Sequence, residues 1–351
     1  MHEMIRTWDG AFVVTHHDAP TGAMVYIAVH RSTPEAACGG TRQRSYSSPQ
    51  RALQDAMGLA ETMTLKFALL DLPRGGGKAV IDLPADLPAE ARAGLMERYG
   101  LLLESLRGVF QTGADLGTSV ADLDRVAGKT RHVFGTSQGR GDPGPSTALG
   151  VYTGIRACLQ HRFGSDSLDH RRVLVQGLGG VGAPLTRRLL EARATVLGTD
   201  VDSGQRAHFE ENPGFQWVAP EDALTADCDV FAPCAMGGVL NRESISRLSC
   251  AIVAGSANNQ LAQPEDAELL QDRGILHAPD ILISGGGALY LLGGETLGWT
   301  GEEIEARILG LGQRLLQVFR QAEERGCTTQ SAAVELARSL RQQLDAGGGG
   351  P

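Results

Sequence analysis

The tightest constraint on the fold is a strand, a glycine-rich turn and a helix in direct succession. Arg172-Val173-Leu174-Val175-Gln176 reads as a buried strand. It runs straight into Gly177-Leu178-Gly179-Gly180-Val181-Gly182, and a helical pattern follows through Leu190. A second strand, 194–199, ends at Asp200. Glycines 177, 179 and 182 fit G-x-G-x-x-G, a weak pattern alone. Here it follows a strand, opens a helix and is answered by an acid after the next strand, which is the context the pattern requires. Gly177 makes the turn, Gly179 admits a pyrophosphate, and Gly182 lets the helix pack on the strand. Gly180 and Val181 complete the loop, and the helix N-terminus offers backbone N–H groups to phosphate. Asp200 would take the ribose hydroxyls and repel a 2′-phosphate, so the expected cofactor is NAD rather than NADP. The competing reading is a glycine-rich turn that holds no nucleotide.

Further strands at 230–232, 251–254 and 275–277 alternate with helical segments. That alternation predicts an α/β fold with a doubly wound parallel sheet. The 351 residues suffice for two domains, and Gly139–Pro145 marks the clearest boundary. Before it, 11–14 and 24–29 read as strands, and Cys38-Gly39-Gly40-Thr41-Arg42 as a tight backbone passage. Ser48-Pro49 starts a helix that runs into Lys66, and another helix spans about 88–106. The segment from about 301 to 344 is helical. A net charge of −9 argues against a general nucleic-acid surface. No apolar run is long enough to cross a bilayer, and the start of the chain lacks a signal-peptide core. The six cysteines are scattered without a C-x-x-C pair, which suggests neither a metal nor disulfides and fits a reducing cytoplasm. The histidines match no metal spacing, and the Gly347–Gly350 tail is expected to fray.

Met63–Val80 carries two lysines in surroundings that repel charge. Lys66 ends an apolar helical pattern. Lys78 follows Gly75-Gly76-Gly77, read as a loop, and precedes a strand at 79–83. A desolvated lysine beside another cation loses its proton near neutral pH, and Lys66 is the expected neighbour. Asp115, among the small residues of Thr112–Thr118, is a candidate proton partner. Each of the three has an ordinary alternative: a surface lysine, a snorkelling lysine, a turn acid.

Taken in order, G-G-T-R, M-T-x-K, G-G-G-K, T-x-x-D-x-G-T, G-D-P-x-P, V-x-V-Q-G-x-G-x-V-G, F-A-P-C-A-x-G-G, A-N-N-Q-L and A-P-D resemble the Glu/Leu/Phe/Val dehydrogenases. The nearest branch is that of the leucine, valine, phenylalanine and tryptophan enzymes, and the match runs from about Met24 to Pro279. The resemblance implies NAD-dependent, reversible oxidative deamination of an L-amino acid to a 2-oxo acid and ammonia. Lys66 would then bind the substrate carboxylate, Lys78 would activate water, and Asp115 would exchange protons with the amino group. Gly39 and Gly40 would approach the substrate by backbone. Thr147, Asn258 and Asn259 would lie near the nicotinamide, with Pro233, Cys234 and Ala235 bordering its ribose. It also implies a substrate and oligomerisation domain (1–141), a Rossmann domain (142–320), and a C-terminal helix (321–351) packing back on the first. A homo-oligomer with a cleft between the domains is expected, acting on small molecules, with no nucleic acid or membrane partner.

The positions aligned with the family's side-chain pocket are Cys38, Gly113 and Ala288. Their small size favours a bulky or aromatic side chain, since filling apolar space gains about 25 cal/mol per Å². The alternative is that neighbours such as Leu289 or Tyr290 refill the room. Where the family usually reads N-A-G-G-V-I-N, this chain reads Ser284-Gly285-Gly286-Gly287-Ala288-Leu289-Tyr290. Two other functions stay open: an NAD-binding homologue without turnover serving as a regulatory or partner subunit, and a two-domain Rossmann enzyme acting on a carbonyl without ammonia. Retention of Lys66, Lys78 and Asp115 together favours the dehydrogenase.

Overall fold

The computed structural model describes residues 2–33 and 36–347 and divides into two units after Gly141. Of the described residues, those from Leu340 to Gly347 group with the first unit, and Asp142–Ser339 forms the second. The first unit contains α1 (His2–Thr7), β1 (Phe12–Asp18), β2 (Ala23–Val29), β3 (Ala37–Arg44), α2 (Pro49–Leu69), β4 (Gly75–Asp82), α3 (Ala89–Ser105), β5 (Phe110–Ala114) and α4 (Val120–Ala127). The rest comprises α5 (Gly144–Phe163), β6 (Arg172–Gln176), α6 (Gly182–Glu191), β7 (Thr195–Thr199), β8 (Phe215–Trp217), β9 (Val230–Pro233) and α7 (Arg242–Arg247). It continues with β10 (Ile252–Val253), α8 (Asp266–Asp272), β11 (Leu276–His277), α9 (Asp280–Ile283), α10 (Gly286–Thr296), α11 (Gly301–Arg325) and α12 (Thr329–Gly347).

The first sheet has the order β1-β2-β4-β3-β5. β1 and β2 form an antiparallel hairpin, β2 runs antiparallel to β4, and β3 runs parallel to β4 and β5. Side chains alternate between faces at period two. Tyr26, Ala28 and Val80 meet Ala52, Leu53, Ala56 and Ala60 of α2 on one face. Val25, Ile27, Ala79 and Ile81 meet Leu95, Met96, Tyr99 and Leu103 of α3 on the other. Helix α2 starts as expected: Pro49 is in its first turn, and the Ser48 hydroxyl accepts from the Arg51 N–H at 3.3 Å.

Two segments differ from expectation. Cys38–Arg42 is not a passage but the body of β3, and Gly75–Gly77 is not a loop but the start of β4. Glycine has poor strand propensity, so both read as loops. Packing decides otherwise. Gly76 donates its N–H to the Thr64 hydroxyl of α2 at 3.1 Å, and a Cβ there would overlap the Thr64 nitrogen and the Ala60 carbonyl. A Cβ on Gly39 would overlap the Gly77 carbonyl of the adjacent strand. These glycines let helix and strands approach one another's backbone.

The second sheet has the order β8-β7-β6-β9-β10-β11, parallel throughout. The chain winds outward from β6 in both directions, which is the doubly wound arrangement, with the order reversing between β6 and β9. Leu174, Leu197, Phe231 and Val253 fill its core. The short strand β8 and helix α1 lie outside the sequence expectation. Of the Gly347–Gly350 tail, all beyond Gly347 lies outside the described residues. Among the described residues no helix is long and apolar enough to cross a membrane. None of their His, Cys, Asp and Glu side chains gather in a group of three or more that could hold a metal ion.

Because the Thr64 nitrogen and the Ala60 carbonyl facing Gly76 are backbone and cannot yield, Gly76→Ala is expected to destabilise the protein by about 1–3 kcal/mol. Urea unfolding measures this; an unchanged midpoint contradicts the packing account.

Candidate active site

In the first unit, strand periodicity puts Lys78 of β4 on the face that α2 covers, in register with Ala28 of β2. Lys78 is 5% exposed. Its ammonium lies 3.2 Å from Oδ2 of Asp115, the residue just past β5. Arg42 of β3 donates from Nε to that same oxygen at 2.8 Å. The other end of the guanidinium, Nη1, donates to Oδ2 of Asp55 on α2 at 3.2 Å. Tyr46 donates its hydroxyl to Asp55 Oδ2 at 2.5 Å. Two cations and two carboxylates therefore form one chain, closed by a phenol.

Burial pushes the Lys78 ammonium below the ordinary lysine range; the Asp115 charge opposes this, and Arg42 adds to it. Arg42 is thus a cation pressing on Lys78, one that the sequence had not singled out for this role. Burial alone would raise Asp115, but the charges of Lys78 and Arg42 outweigh it and hold the carboxyl below its usual value. The site combines an amine that gives up its proton more readily than free lysine with a carboxylate that stays ionised.

Lys66 is buried in the last turn of α2. Gly39 and Gly40 lie in β3, where a Cβ on Gly40 would overlap the Ala114 carbonyl, so the neighbouring strands by themselves require both glycines. Cys38 is fully buried, its thiol donating to Gln111 Oε1 at 3.7 Å. Burial pushes that thiol up to about 12, which makes it a packing group and not a nucleophile. The room beside Gly113 is taken by the Phe134 ring, which a Cβ there would overlap.

In the second unit, Gly177 adopts a φ of +94°, and a Cβ on Gly182 would overlap the Gly177 carbonyl. A Cβ on Gly179 or Gly180 would meet nothing within 4 Å, so the loop is open above Val181 and the start of α6. Asp200 accepts from the Leu178 N–H at 2.7 Å through Oδ2 and from the Asp202 N–H at 2.9 Å through Oδ1. An open glycine loop at a helix N-terminus with a fixed carboxylate beside it fits a dinucleotide. Pro233 ends β9, the Cys234 N–H donates to Gln176 O at 2.7 Å, and Ala235 packs against Gly177. Burial also raises the Cys234 thiol. Asn258 and Asn259 are exposed, and the Asn259 N–H donates to Asp280 Oδ2 at 2.9 Å. Thr147, in the first turn of α5, donates to the Pro143 carbonyl at 3.1 Å, and Gly287 of α10 packs over it. Ala288 follows, half-buried in α10, and the Ser284 hydroxyl donates to the Asp280 carbonyl at 2.6 Å.

The structure thus joins Lys78 to Asp115, and the glycine loop to Asp200 and to Pro233–Ala235. Sequence reasoning missed Arg42, Asp55, Tyr46 and Phe134. Arg42 had a signal: two residues past Gly40 on one strand, it faces the same side. Asp55 had one too, as a carboxylate set between Leu53 and Ala56 in an apolar helical pattern. Phe134 had none.

Residues 13–132 match the model of the Glu/Leu/Phe/Val dehydrogenase dimerisation domain, and 201–340 that of the glutamate/leucine/phenylalanine/valine dehydrogenases. The chain is 36% identical over 340 residues to the leucine dehydrogenase of Geobacillus stearothermophilus, covering 96% of this chain and 92% of that one. It is 39% identical over 332 residues to the valine dehydrogenase of Streptomyces albus, covering 93% and 90%. The crystal structure of L-tryptophan dehydrogenase from Nostoc punctiforme superposes with a TM-score of 0.84 at 34% identity, covering 99% of this chain and 100% of that one.

Gly113→Ala is expected to push Phe134 from its seat at a cost of about 1–3 kcal/mol. Thermal unfolding together with a crystal structure of the variant checks this; an unmoved ring at unchanged stability contradicts it.

Proposed function

The chain belongs to the Glu/Leu/Phe/Val dehydrogenases, pyridine-nucleotide-dependent amino acid dehydrogenases with a Rossmann domain, and from that premise we propose that it is an NAD-dependent, reversible deaminase of hydrophobic L-amino acids. The observation that carries this reading is the buried Lys78–Asp115 pair, 3.2 Å apart. Neither a non-catalytic NAD-binding subunit nor a carbonyl reductase that handles no ammonia needs it.

NAD, when bound, supplies the hydride acceptor. The loop of Gly177–Gly182 would hold its pyrophosphate. The Asp200 carboxylate would take the adenosine ribose and disfavour a 2′-phosphate, which supports NAD over NADP. Pro233–Ala235, Thr147, Asn258 and Asn259 would border the nicotinamide end. In the first unit, Lys66 would anchor the substrate carboxylate. Loss of hydride from Cα leaves an iminium, to which water must add. Neutral Lys78 takes the proton of that water as the C–O bond forms. Asp115 then relays the proton from the Lys78 ammonium to the carbinolamine nitrogen; the C–N bond breaks as the carbinolamine hydroxyl returns its proton to Lys78, so that ammonia leaves and a 2-oxo acid remains. Both cations bond Oδ2 of Asp115, so Oδ1 is the oxygen left for this exchange.

For the side chain, the flat ring of Phe134 at Gly113 supports a bulky or aromatic substrate, since ring pairs gain beyond their buried area. The match to a dimerisation-domain model supports a homo-oligomer formed through the first unit, and scattered, unbridged cysteines support the cytoplasm.

NADH oxidation with ammonia and a panel of 2-oxo acids tests the reading. Turnover is expected, with kcat/KM higher for a ring-bearing oxo acid than for the valine-derived one. NADH binding without turnover of any hydrophobic oxo acid would overturn it. Lys78→Ala should lose about 10²–10⁴-fold in kcat while NADH affinity, read by fluorescence, stays near wild type. In the deamination direction the rate needs neutral Lys78, so it should rise with pH through a midpoint below the ordinary lysine range; a rise centred at that ordinary value contradicts the assignment.

A further inference from the structure

The Arg42 guanidinium is bound at both ends. Nε holds Asp115 Oδ2 at 2.8 Å, and Nη1 holds Asp55 Oδ2 at 3.2 Å. Asp55 is itself fixed by the Tyr46 hydroxyl at 2.5 Å. Three elements contribute: β3 gives Arg42, the segment after it gives Tyr46, and α2 gives Asp55. The Arg42 side chain is 15% exposed and that of Asp115 12%, so neither bond competes freely with water. The planar guanidinium holds the Asp115 and Asp55 carboxylates in one fixed relation, each by a different nitrogen, which a flexible ammonium does not do. Arg42 also selects which oxygen of Asp115 is used, because it and Lys78 both bond Oδ2.

We propose that Arg42, braced by Asp55 and Tyr46, is a positioning residue that turns the Asp115 carboxylate so that Oδ2 bridges Arg42 and Lys78 while Oδ1 faces the substrate amino group. This rests on the amino acid dehydrogenase reading. Arg42 orients Asp115 and Asp55 orients Arg42, and both also act on the Lys78 proton through their charge.

Among the charged and titratable groups that act on Lys78 are Asp115, Arg42 and Asp55, with Tyr46 hydrogen-bonded to the last, while Ala28, its β2 neighbour, carries none; Lys66 is buried in the last turn of the same helix as Asp55. The signs differ between variants. Arg42 repels the Lys78 proton and Asp55 retains it. Arg42→Gln therefore raises the proton affinity of Lys78, and Asp55→Asn, which keeps an oxygen to accept from Arg42, lowers it.

The test is the pH profile of kcat/KM for oxidative deamination, with the wild type as reference. Arg42→Gln should move the acid limb up by about one pH unit, and Asp55→Asn should move it down by a smaller amount. Arg42→Lys keeps the charge and loses the fork, so its limb should stay at the wild-type position while kcat falls about tenfold or more. Wild-type turnover with Arg42→Gln and Arg42→Lys profiles superimposed on it at full kcat would overturn the role of Arg42 and leave the dehydrogenase reading standing. If Arg42→Gln loses thermal stability too heavily to assay, Arg42→Lys and Asp55→Asn decide: unmoved limbs at full kcat in both overturn the proposal. A wild type without turnover overturns the dehydrogenase reading, and this one with it.

Discussion

The contact on which the first unit depends is that between the Lys78 ammonium and the Asp115 carboxylate, set under α2 where water barely reaches. Removing two charges from water is costly, and their attraction repays it only when further hydrogen bonds complete the pair. Arg42 provides that completion at Asp115, and Asp55 and Tyr46 provide it at Arg42. Such an arrangement is a poor way to gain stability, since apolar residues of similar volume would serve as well. The desolvation that makes the pair costly also lowers the Lys78 proton affinity, which supports the proposed use of the pair in proton transfer.

The surrounding glycines follow from that placement. Lys78 reaches the α2 face only if β4 runs close beneath the helix, and Gly76 permits the approach through its bond to Thr64. Thr64 also pairs with His30 Nδ1 at 2.9 Å, which ties the helix to the end of β2. Gly39 and Gly40 let β3 lie flat between β4 and β5, which brings Arg42 over Asp115. A glycine run that suggests a ligand approaching backbone is thus, in its own unit, a run where protein backbone approaches protein backbone. In the second unit the glycines divide differently. Gly177 and Gly182 serve the turn and the helix, and Gly179 and Gly180 face open space.

Much of this was legible in the sequence. The Rossmann unit could be read because its signals are local: a β-branched strand, a fixed glycine spacing and an acid at the next strand end. Lys78 and Asp115 were singled out as partners and the structure pairs them, and the helix start at Ser48-Pro49 was recovered. What failed depended on contacts distant along the chain. Gly75–Gly77 and Cys38–Arg42 have loop propensities, and only the strands and helix beside them make them strand. Arg42, a cation acting on Lys78, went unnamed in that role because it lies 36 positions before Lys78 and one strand away. The space next to Gly113 was read as room, because nothing in the sequence places Phe134 against it.

The central claim is that Lys78 is a buried amine whose proton is loosely held and whose charge is answered by Asp115. It is most directly tested by titrating that amine itself, in the intact protein with isotope-labelled lysine, following the Lys78 signal by NMR and assigning it by its loss in Lys78→Arg. The account predicts a midpoint below the ordinary lysine value of 10.5, and a further change when Asp115→Asn removes the opposing charge, in the direction of still weaker proton binding. A midpoint at the ordinary value, unmoved by Asp115→Asn, would contradict it.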